Sequence, residues 1–470
     1  MNKTTGICPF CRRTFSLNNE GLLRKHGRGL KCEGSHKAPA PDLVPSQQQQ
    51  TPSHPISQSI ETDTNESEKH FGGPVHTIRF LPRNLVPLAA EHLSAALRRV
   101  SDHPHDQTAW WSLLLWPRRL VECTESRKLP RKTRNEQLRA QITGERAPPK
   151  PDPRAREDEH NHDANTLRRD VRRKIDAGQV NNAMKLIIND GKLIPLTDTV
   201  LTALKEKHPP ASNKQLPTLS ATSQPIIIDR EMINAAVQSM NIASAAGPDG
   251  LRPSLLRQLV GKEFVGSRDK ILDSLQSFAA TCVAGKVPSS ISKFFFGATL
   301  CALRKKDGKV RPIAVGCVIR RIISKAACHA VRERASKLLS PIQLGIGIAD
   351  GATAAAHAAR RFLSACKEGE KLLKLDFKNA FNAIERSQVL TAVLRHFPEL
   401  APFTFAAYTS PSWLFFGQYK LESAQGVQQG DPLGHLFYSP SQYTKQRTHQ
   451  IADSRFGTSM MVLSVVRHKK

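Results

Sequence analysis

Residues 371–386 read KLLKLDFKNAFNAIER, and this stretch decides how the rest of the chain is interpreted. Apolar and polar side chains alternate from position 373 to position 377, which predicts a short β-strand over residues 372–377 with one apolar face. The strand ends by presenting the carboxylate of Asp376, and a carboxylate on a rigid element is a common mount for a metal ion. Most carboxylates are simply solvated at the surface, so Asp376 becomes a candidate only through the motifs around it.

Three further motifs accompany this stretch in a fixed order along the chain. Residues 246–251 read AGPDGL, residues 305–313 read KKDGKVRPI, and residues 425–434 read QGVQQGDPLG. Together with the central strand they resemble the fingers and palm of a non-LTR (LINE-like) retrotransposon reverse transcriptase, over residues 226–438. The resemblance implies an α+β fold: a partial right-hand polymerase, with fingers and an incomplete palm, preceded by helical segments and a small zinc finger.

The resemblance also implies roles for individual residues. Asp376 would be the catalytic residue and would bind Mg²⁺. Phe381, five positions later, would lie under the sugar of the incoming deoxynucleotide and exclude ribonucleotides. The other residues that the resemblance assigns to nucleotide binding are Lys306, Arg311, Phe377, Gln429 and Gly430.

The KKDGKVRPI motif also predicts a β-hairpin from its residues alone. Residues 298–303 and 310–315 are apolar and β-prone, and Asp307-Gly308 is a favoured pair for the tight turn between them. The basic residues around this turn could bind a triphosphate, on which negative charge builds up during phosphoryl transfer. An exposed hairpin tip is often basic for no other reason than its exposure, so both interpretations stay open.

The Tyr-x-Asp-Asp motif, which supplies further palm carboxylates in this family, does not occur in the sequence. Its nearest similarity, residues 451–454, has a single Asp, has no Tyr and follows Gly430 too closely. Template-directed synthesis uses two divalent ions about 4 Å apart that clamp the attacking and leaving oxygens. Asp376 alone leaves the second carboxylate position empty. We therefore expect an inactive, truncated copy of the polymerase, with a divergent tail at residues 439–470.

Composition favours a polyanionic partner. The chain has 69 Lys and Arg against 41 Asp and Glu, a formal net charge of +28, which suits nucleic acid or an anionic membrane surface. No apolar run is long enough to span a membrane, the polar N-terminus is not a signal peptide, and nine scattered cysteines do not indicate a disulfide framework. We expect an RNA template, a DNA target or primer and dNTP as partners, no membrane, and a nuclear or otherwise cytoplasmic location.

The N-terminus predicts one zinc finger, over residues 1–36. Cys8 and Cys11 are separated by two residues, and such a close thiolate pair can hold one side of a tetrahedral Zn²⁺. His26 and Cys32 would complete the site, with His36 as the alternative to Cys32. The pattern resembles a CCHC or CCHH finger, and a pair of free cysteines is the simpler alternative.

Composition divides the chain between the finger and the polymerase-like region into four segments. They are a disordered linker rich in Pro, Ser and Gln (37–74), a helical region whose Trp residues we assign to a core (75–126), a charged linker (127–165) and a basic helical region (166–225). A basic run is usually a solvated helix face, but its neighbours here suggest phosphate contacts. The candidate nucleic-acid-binding residues are Arg168, Arg169, Arg172, Arg173 and Lys174.

Capping residues predict where three helices begin. Thr197 or Asp198 would start a helix that runs to about residue 207, and Asp229 would start one that runs to about residue 240. Ser387 would start the helix that follows the central strand.

Two functions of different classes fit these observations. The first is an RNA-directed DNA polymerase of a non-LTR retrotransposon, with Zn²⁺ in the finger and Mg²⁺ at Asp376. The alternative is a non-catalytic, zinc-dependent nucleic-acid-binding protein, which would use the finger, the basic helix and the fingers subdomain.

Overall fold

The computed structural model divides the chain into two compact units, Met1–Gln58 and Ser59–Lys470. The backbone is described for residues 5–7, 14–16, 66–121, 130–145, 164–176, 178, 180, 183–184, 193–220, 223–305, 308–341, 343–367, 371–375, 379–438 and 460–464.

The described part of the first unit is a short antiparallel ribbon. Strand β1 (Thr5–Ile7) pairs with strand β2 (Thr14–Ser16), and Ile7 lies opposite Thr14. The predicted zinc ligands and their alternative lie outside the described residues; they are Cys8, Cys11, His26, Cys32 and His36.

The second unit is mixed helix and strand, in agreement with the predicted α+β class. Its elements in chain order are α1 (Val86–Asp102), α2 (Gln107–Arg119), α3 (Arg131–Thr143), α4 (Ala164–Asp176), α5 (Asp198–Glu206), α6 (Arg230–Gln238), α7 (Pro253–Leu259), α8 (Val265–Val283), α9 (Ser289–Phe295), β3 (Ala298–Arg304), β4 (Val310–Gly316), α10 (Val318–Leu339), α11 (Gly351–Ala365), β5 (Lys371–Leu375), α12 (Ala380–Ala383), α13 (Arg386–His396), α14 (Ala401–Tyr408), β6 (Ser412–Phe416), β7 (Tyr419–Ser423) and β8 (Met460–Ser464).

The upstream helices and the region from residue 226 onward share one hydrophobic core. Helix α1 packs along α8, and the ring of Trp110 on α2 lies 5.4 Å from Phe278 and 5.3 Å from Phe295 between ring centroids. Trp110, Trp111 and Trp116 are all buried, which confirms that they are core residues rather than exposed stacking platforms. The upstream helices therefore stabilise α8 and α9 directly through apolar burial.

Helix α3 forms inside the segment that we expected to be a charged linker. Its last turn buries Ile142, whose carbonyl accepts a hydrogen bond of 3.2 Å from the indole nitrogen of Trp116. Gly144 ends the helix in the left-handed conformation at φ +85°. The sequence of α3 is polar along most of its length, so its apolar spacing gave little indication of a packed helix.

A four-stranded mixed sheet carries the predicted hairpin. Its strand order is β4-β3-β6-β7; β3 pairs antiparallel with β4 and parallel with β6, and β6 pairs antiparallel with β7. The hairpin prediction is confirmed, and Gly308 occupies the turn at φ +75°. One face of the sheet buries a separate apolar cluster under α5, which comprises Val200, Leu201, Leu204, Ala298, Leu300, Ala302, Ala314, Leu414, Phe416 and Leu421.

The strand predicted at the centre of the chain is present as β5. It pairs in parallel with β8, with Leu373 opposite Val462, so part of the segment that we expected to be a divergent tail forms a strand. Asp376 and Phe377 follow β5 directly in the sequence and lie outside the described residues.

Two of the three predicted helix starts are confirmed. The Thr197 side chain accepts a hydrogen bond from the amide of Val200, and the Asp229 carboxylate accepts one of 2.7 Å from the amide of Met232. The prediction for Ser387 is wrong: α13 begins at Arg386 with Glu385 as its N-cap. A buried side chain at Arg386 anchors this helix start, and a cap pattern in the sequence does not show such an anchor.

The Arg386 guanidinium joins three segments of backbone. It is buried and donates to the carbonyls of Gly426, Tyr408, Ser410 and Ser423 over 2.6–3.2 Å. These carbonyls come from the end of α14, the end of β7 and the loop that follows β7. Burial lowers the pKa of Arg386 to about 10, which still leaves the side chain charged at neutral pH.

We predict that Arg386→Met lowers the free energy of unfolding by about 3 kcal/mol or more, because several buried carbonyls lose a charged donor. Arg395→Met, on the exposed side of the same helix, is the matched control and should change stability by less than about 0.5 kcal/mol. Urea denaturation followed by tryptophan fluorescence measures both. Equal stability of the two variants would show that these hydrogen bonds contribute nothing.

Candidate functional site

The AGPDGL motif is a packing loop in the structure. Arg118 on α2 donates a hydrogen bond of 2.8 Å to the carbonyl of Pro248, and the Thr77 hydroxyl donates one of 2.5 Å to the carbonyl of Gly250. A Cβ on Gly247 would lie 2.5 Å from the carbonyl oxygen of Gly316 at the end of β4. The motif therefore joins the upstream helices to the hairpin.

Asp249 in this loop is buried with two other ionisable groups, Arg118 and Cys317. Burial raises the pKa of Asp249 to about 7, although Arg118 favours the charged carboxylate. Burial also lowers the pKa of Arg118 to about 10 and raises that of the Cys317 thiol well above its ordinary value. These groups are enclosed in the core, so they serve packing and cannot meet a substrate.

The loop that carries QGVQQG connects two other motifs. The amide of Val427 donates a hydrogen bond of 2.8 Å to the carbonyl of Phe381, and the amide of Ala314 on β4 donates one of 2.9 Å to the carbonyl of Gln429. Gly430 has φ +133°, and a Cβ there would overlap the carbonyl of Ala314. Glycine thus permits the close approach of this loop to the hairpin.

The two glutamines of this loop have different surroundings. Gln428 is buried; its amide nitrogen donates to the carbonyl of Phe296 (2.8 Å) and to Ser412 (3.0 Å), and its amide oxygen accepts from Arg320 (2.9 Å). These bonds make Gln428 structural. The neighbouring Gln429 is half-buried at a narrow cleft that Gln428 also lines.

Phe381 lies in an aromatic environment rather than on an open surface. Its ring centroid is 5.1 Å from His435 and 5.0 Å from Tyr438, and 7% of the residue is exposed. Burial lowers the pKa of His435, which favours the neutral imidazole beside the ring. Residues 432–438 are helical, and Asp431 starts this helix by accepting from the amide of Leu433.

Arg311 lies on β4, close to the loop at residues 425–430, but on the other face of the strand from Ala314. It is half-buried opposite Leu303, and it precedes Ala314 by three residues, or about 10 Å along the strand. Side chains alternate along a strand, so Arg311 lies on the opposite face from Pro312 and Ala314. Gln429 shares its cleft with those two residues. The structure thus places Arg311 and Gln429 near the same strand, on different sides of it.

Sequence reasoning missed the residues that form the other wall of this cleft. His208 follows α5, and its Nδ1 lies 2.7 Å from the carbonyl of Leu204; Asn382 belongs to α12. Burial lowers the pKa of His208, because the charged imidazole would lose its hydration. Residues 207–210 read KHPP, a pattern that signals only the end of a helix.

The basic helix predicted upstream is present as α4. Arg168, Arg169, Arg172 and Arg173 are exposed and Lys174 is half-buried. Positions four apart are neighbours on a helix, so Arg168 lies beside Arg172 and Arg169 beside Arg173. This arrangement concentrates positive charge along one helix.

Asp376, Phe377 and Lys306 lie outside the described residues. Across the part of the chain that the structure describes, no group of three or more His, Cys, Asp or Glu side chains could hold a metal ion. In the same part of the chain, no helix has the length and apolar character needed to cross a membrane.

Comparison with known proteins relates the chain to retrotransposons. It is 36% identical over 148 residues to the "Retrotransposable element SLACS 132 kDa protein" of Trypanosoma brucei gambiense, a match that covers 30% of this chain and 12% of that protein. No protein-family model matches the chain. The similarity marks the chain as retrotransposon-related, and the chain spans only a small part of the length of this relative.

We predict that Asp249 makes the fold less stable as pH rises from about 4 to about 7. Its pKa is raised from 3.8 to about 7, so over this range the folded state keeps a proton that the unfolded state has released. The loss should level off above the raised pKa. Urea midpoints at pH 4.5, 6 and 8 should show this contribution in the unmodified chain and lack it in Asp249→Asn. Parallel pH profiles for the two proteins would contradict it.

Proposed function

We propose that the chain is the fingers and partial palm of a non-LTR retrotransposon reverse transcriptase, an RNA-directed DNA polymerase that copies an RNA template from a DNA primer. One observation carries the proposal. The loop at residues 425–430 bonds to Phe381 on one side and to Ala314 on the other, so three motifs that are distant in sequence meet at one place. The similarity to a retrotransposon protein supports the same family.

In this proposal each described residue has a task set by its chemistry. Arg311 supplies a fixed positive charge beside the hairpin turn, which suits the triphosphate of a nucleotide. Gln429 offers amide donors and acceptors from the cleft, and Gly430 keeps the backbone close to the strand. Phe381 provides the apolar surface that would contact the sugar.

Mg²⁺ would neutralise phosphate charge and activate the primer hydroxyl when bound. Asp376 follows β5 in sequence and is the proposed ligand, since one or two carboxylates plus substrate phosphates usually hold this ion. With no Tyr-x-Asp-Asp in the sequence, we expect this chain by itself to bind a primer–template and a nucleotide but to extend the primer little or not at all.

Zn²⁺ and the basic helix would serve binding to nucleic acid. Cys8, Cys11, His26 and Cys32 are the proposed zinc ligands, and the ribbon β1–β2 on either side of the cysteine pair suits a small finger. The exposed arginines of α4 would contact phosphates, an interaction that weakens steeply with salt. A chromosomal DNA target would make the nucleus the site of action.

We predict that the next complementary dNTP stabilises the complex of this chain with an RNA template and DNA primer, and that the three other dNTPs do not. The measurement is the dissociation rate of labelled primer–template after a heparin challenge, with magnesium and each dNTP in turn. Arg311→Ala should weaken the effect by about tenfold or more, because a charged hydrogen bond to phosphate is lost. Arg304→Ala, an exposed cation on the same hairpin, is the matched control.

Primer extension is assayed in parallel, with Asp376→Ala as the comparison. Extension that Asp376→Ala abolishes would show that another carboxylate completes the metal site. Binding that no dNTP alters, but that loss of zinc weakens, would overturn the proposal in favour of a non-catalytic nucleic-acid-binding protein.

A further inference from the structure

Residues 193–214 form a segment that we name the strap. It begins on the free edge of β3. Leu193 forms a β-bridge with Leu303, and the amide of Ile194 donates a hydrogen bond of 2.8 Å to the carbonyl of Ala302. Strand β6 pairs with β3 only at Ala298 and Thr299, so this edge is open farther along β3. The strap thus satisfies backbone groups that a sheet edge would otherwise expose.

The middle of the strap is α5, which covers one face of the sheet. Val200, Leu201 and Leu204 are buried against apolar residues of β3, β4, β6 and β7. Leu204 is fully buried, so the helix is docked by its apolar face and not merely tethered at its ends.

The end of the strap contacts the turn that precedes α12. The carbonyl of Lys207 accepts a hydrogen bond of 2.8 Å from the side-chain amide of Asn379. The Asn379 amide oxygen in turn accepts one of 3.1 Å from Asn382. Asn379 has φ +54°, a left-handed conformation that asparagine tolerates better than most residues. Its side chain therefore links the strap to a constrained turn.

A second contact joins the strap to Glu385, two residues beyond the end of α12. The Lys214 ammonium lies 3.6 Å from the carboxylate of Glu385, which follows α12. A hydrogen bond with Ser212 is the main cause that lowers the pKa of Glu385, so the carboxylate is charged in this contact. The strap thus contacts Asn379 directly before α12 and Glu385 two residues after it, while the amide of Val427 bonds to the carbonyl of Phe381 within the helix.

We infer that the strap is a positioning element for α12, and that Asn379 is the positioning residue through which it acts. Helix α12 has four residues and cannot hold its own conformation, so its placement is set by the groups at its ends. It carries Phe381, and the sequence places Asp376 three residues before Asn379. The meaning of this positioning for nucleotide binding rests on the proposed function; the mechanical coupling does not.

Hydrogen–deuterium exchange of the full chain tests the coupling. Asn379→Gly keeps the left-handed backbone accessible and removes the amide that bonds to the strap. We expect amide exchange in strap peptides at residues 198–208 to speed up about fivefold, the effect of losing one hydrogen bond worth about 1 kcal/mol. Asp350→Gly is the matched control: Asp350 is also a non-glycine residue at positive φ, 50°, before a different helix. It should leave the strap unchanged.

The reverse effect tests the same inference from the other side. Leu204→Ala loosens the docking of α5 and should speed exchange in peptides that cover residues 379–385. Leu97→Ala, at a fully buried leucine of the large core, removes the same atoms away from the strap and should not do so selectively. Strap exchange within about twofold of the unmodified chain in Asn379→Gly, with α12 unaffected by Leu204→Ala, would falsify the inference.

The dNTP-dependent dissociation assay then distinguishes a failure of this inference from a failure of the proposed function. If the complementary dNTP stabilises the complex of the unmodified chain, Asn379→Gly should reduce that stabilisation by about threefold to fivefold while primer–template affinity stays the same. If no dNTP acts on the unmodified chain, the proposed function fails, and the exchange data alone decide whether the strap positions α12.

Discussion

The arrangement around the loop at residues 425–430 depends on hydrogen bonds to buried polar groups. Arg386 supplies donors to backbone carbonyls from three directions, and Gln428 with Arg320 does the same at the carbonyl of Phe296. An unpaired polar group in such a place costs about as much as a lost hydrogen bond, so these segments are fixed together or not at all. The loop can therefore act as a rigid bridge between the hairpin and α12, and the position of each depends on the other.

Local signals in the sequence predicted the elements that are built from neighbouring residues. The hairpin at Asp307-Gly308 follows from turn chemistry, and the start of α6 follows from the capping residue Asp229. The links between distant segments could not be read in this way. Arg118 bonds to the AGPDGL loop, 130 positions away, and Lys207 bonds to Asn379, 172 positions away. The sequence around Arg118 or Lys207 contains no pattern that predicts these partners.

The candidate site shows the same division. The motifs identified Phe381 and Gln429. In the structure, the carbonyl of Phe381 accepts a hydrogen bond from Val427, and the carbonyl of Gln429 accepts one from Ala314. The motifs did not indicate which of two adjacent glutamines is structural, because the difference arises from Arg320 and Ser412, which are remote in sequence. Nor did they show that the ring of Phe381 is enclosed by His435 and Tyr438. That enclosure follows from the helix after Asp431, whose start is fixed by Tyr408 and Leu433.

The enclosure of Phe381 bears on how a nucleotide would reach it. The ring is 7% exposed, so a sugar can contact it only if His435 or Tyr438 moves aside or if α12 shifts. The hydrogen bond from Val427 to Phe381 and the bond between Asn379 and the strap both hold α12, which makes a shift of α12 costly. Movement of the aromatic side chains would leave the backbone hydrogen bond at Phe381 intact, whereas a shift of α12 would strain it. A bound nucleotide would then have to supply the apolar contact that His435 and Tyr438 give up.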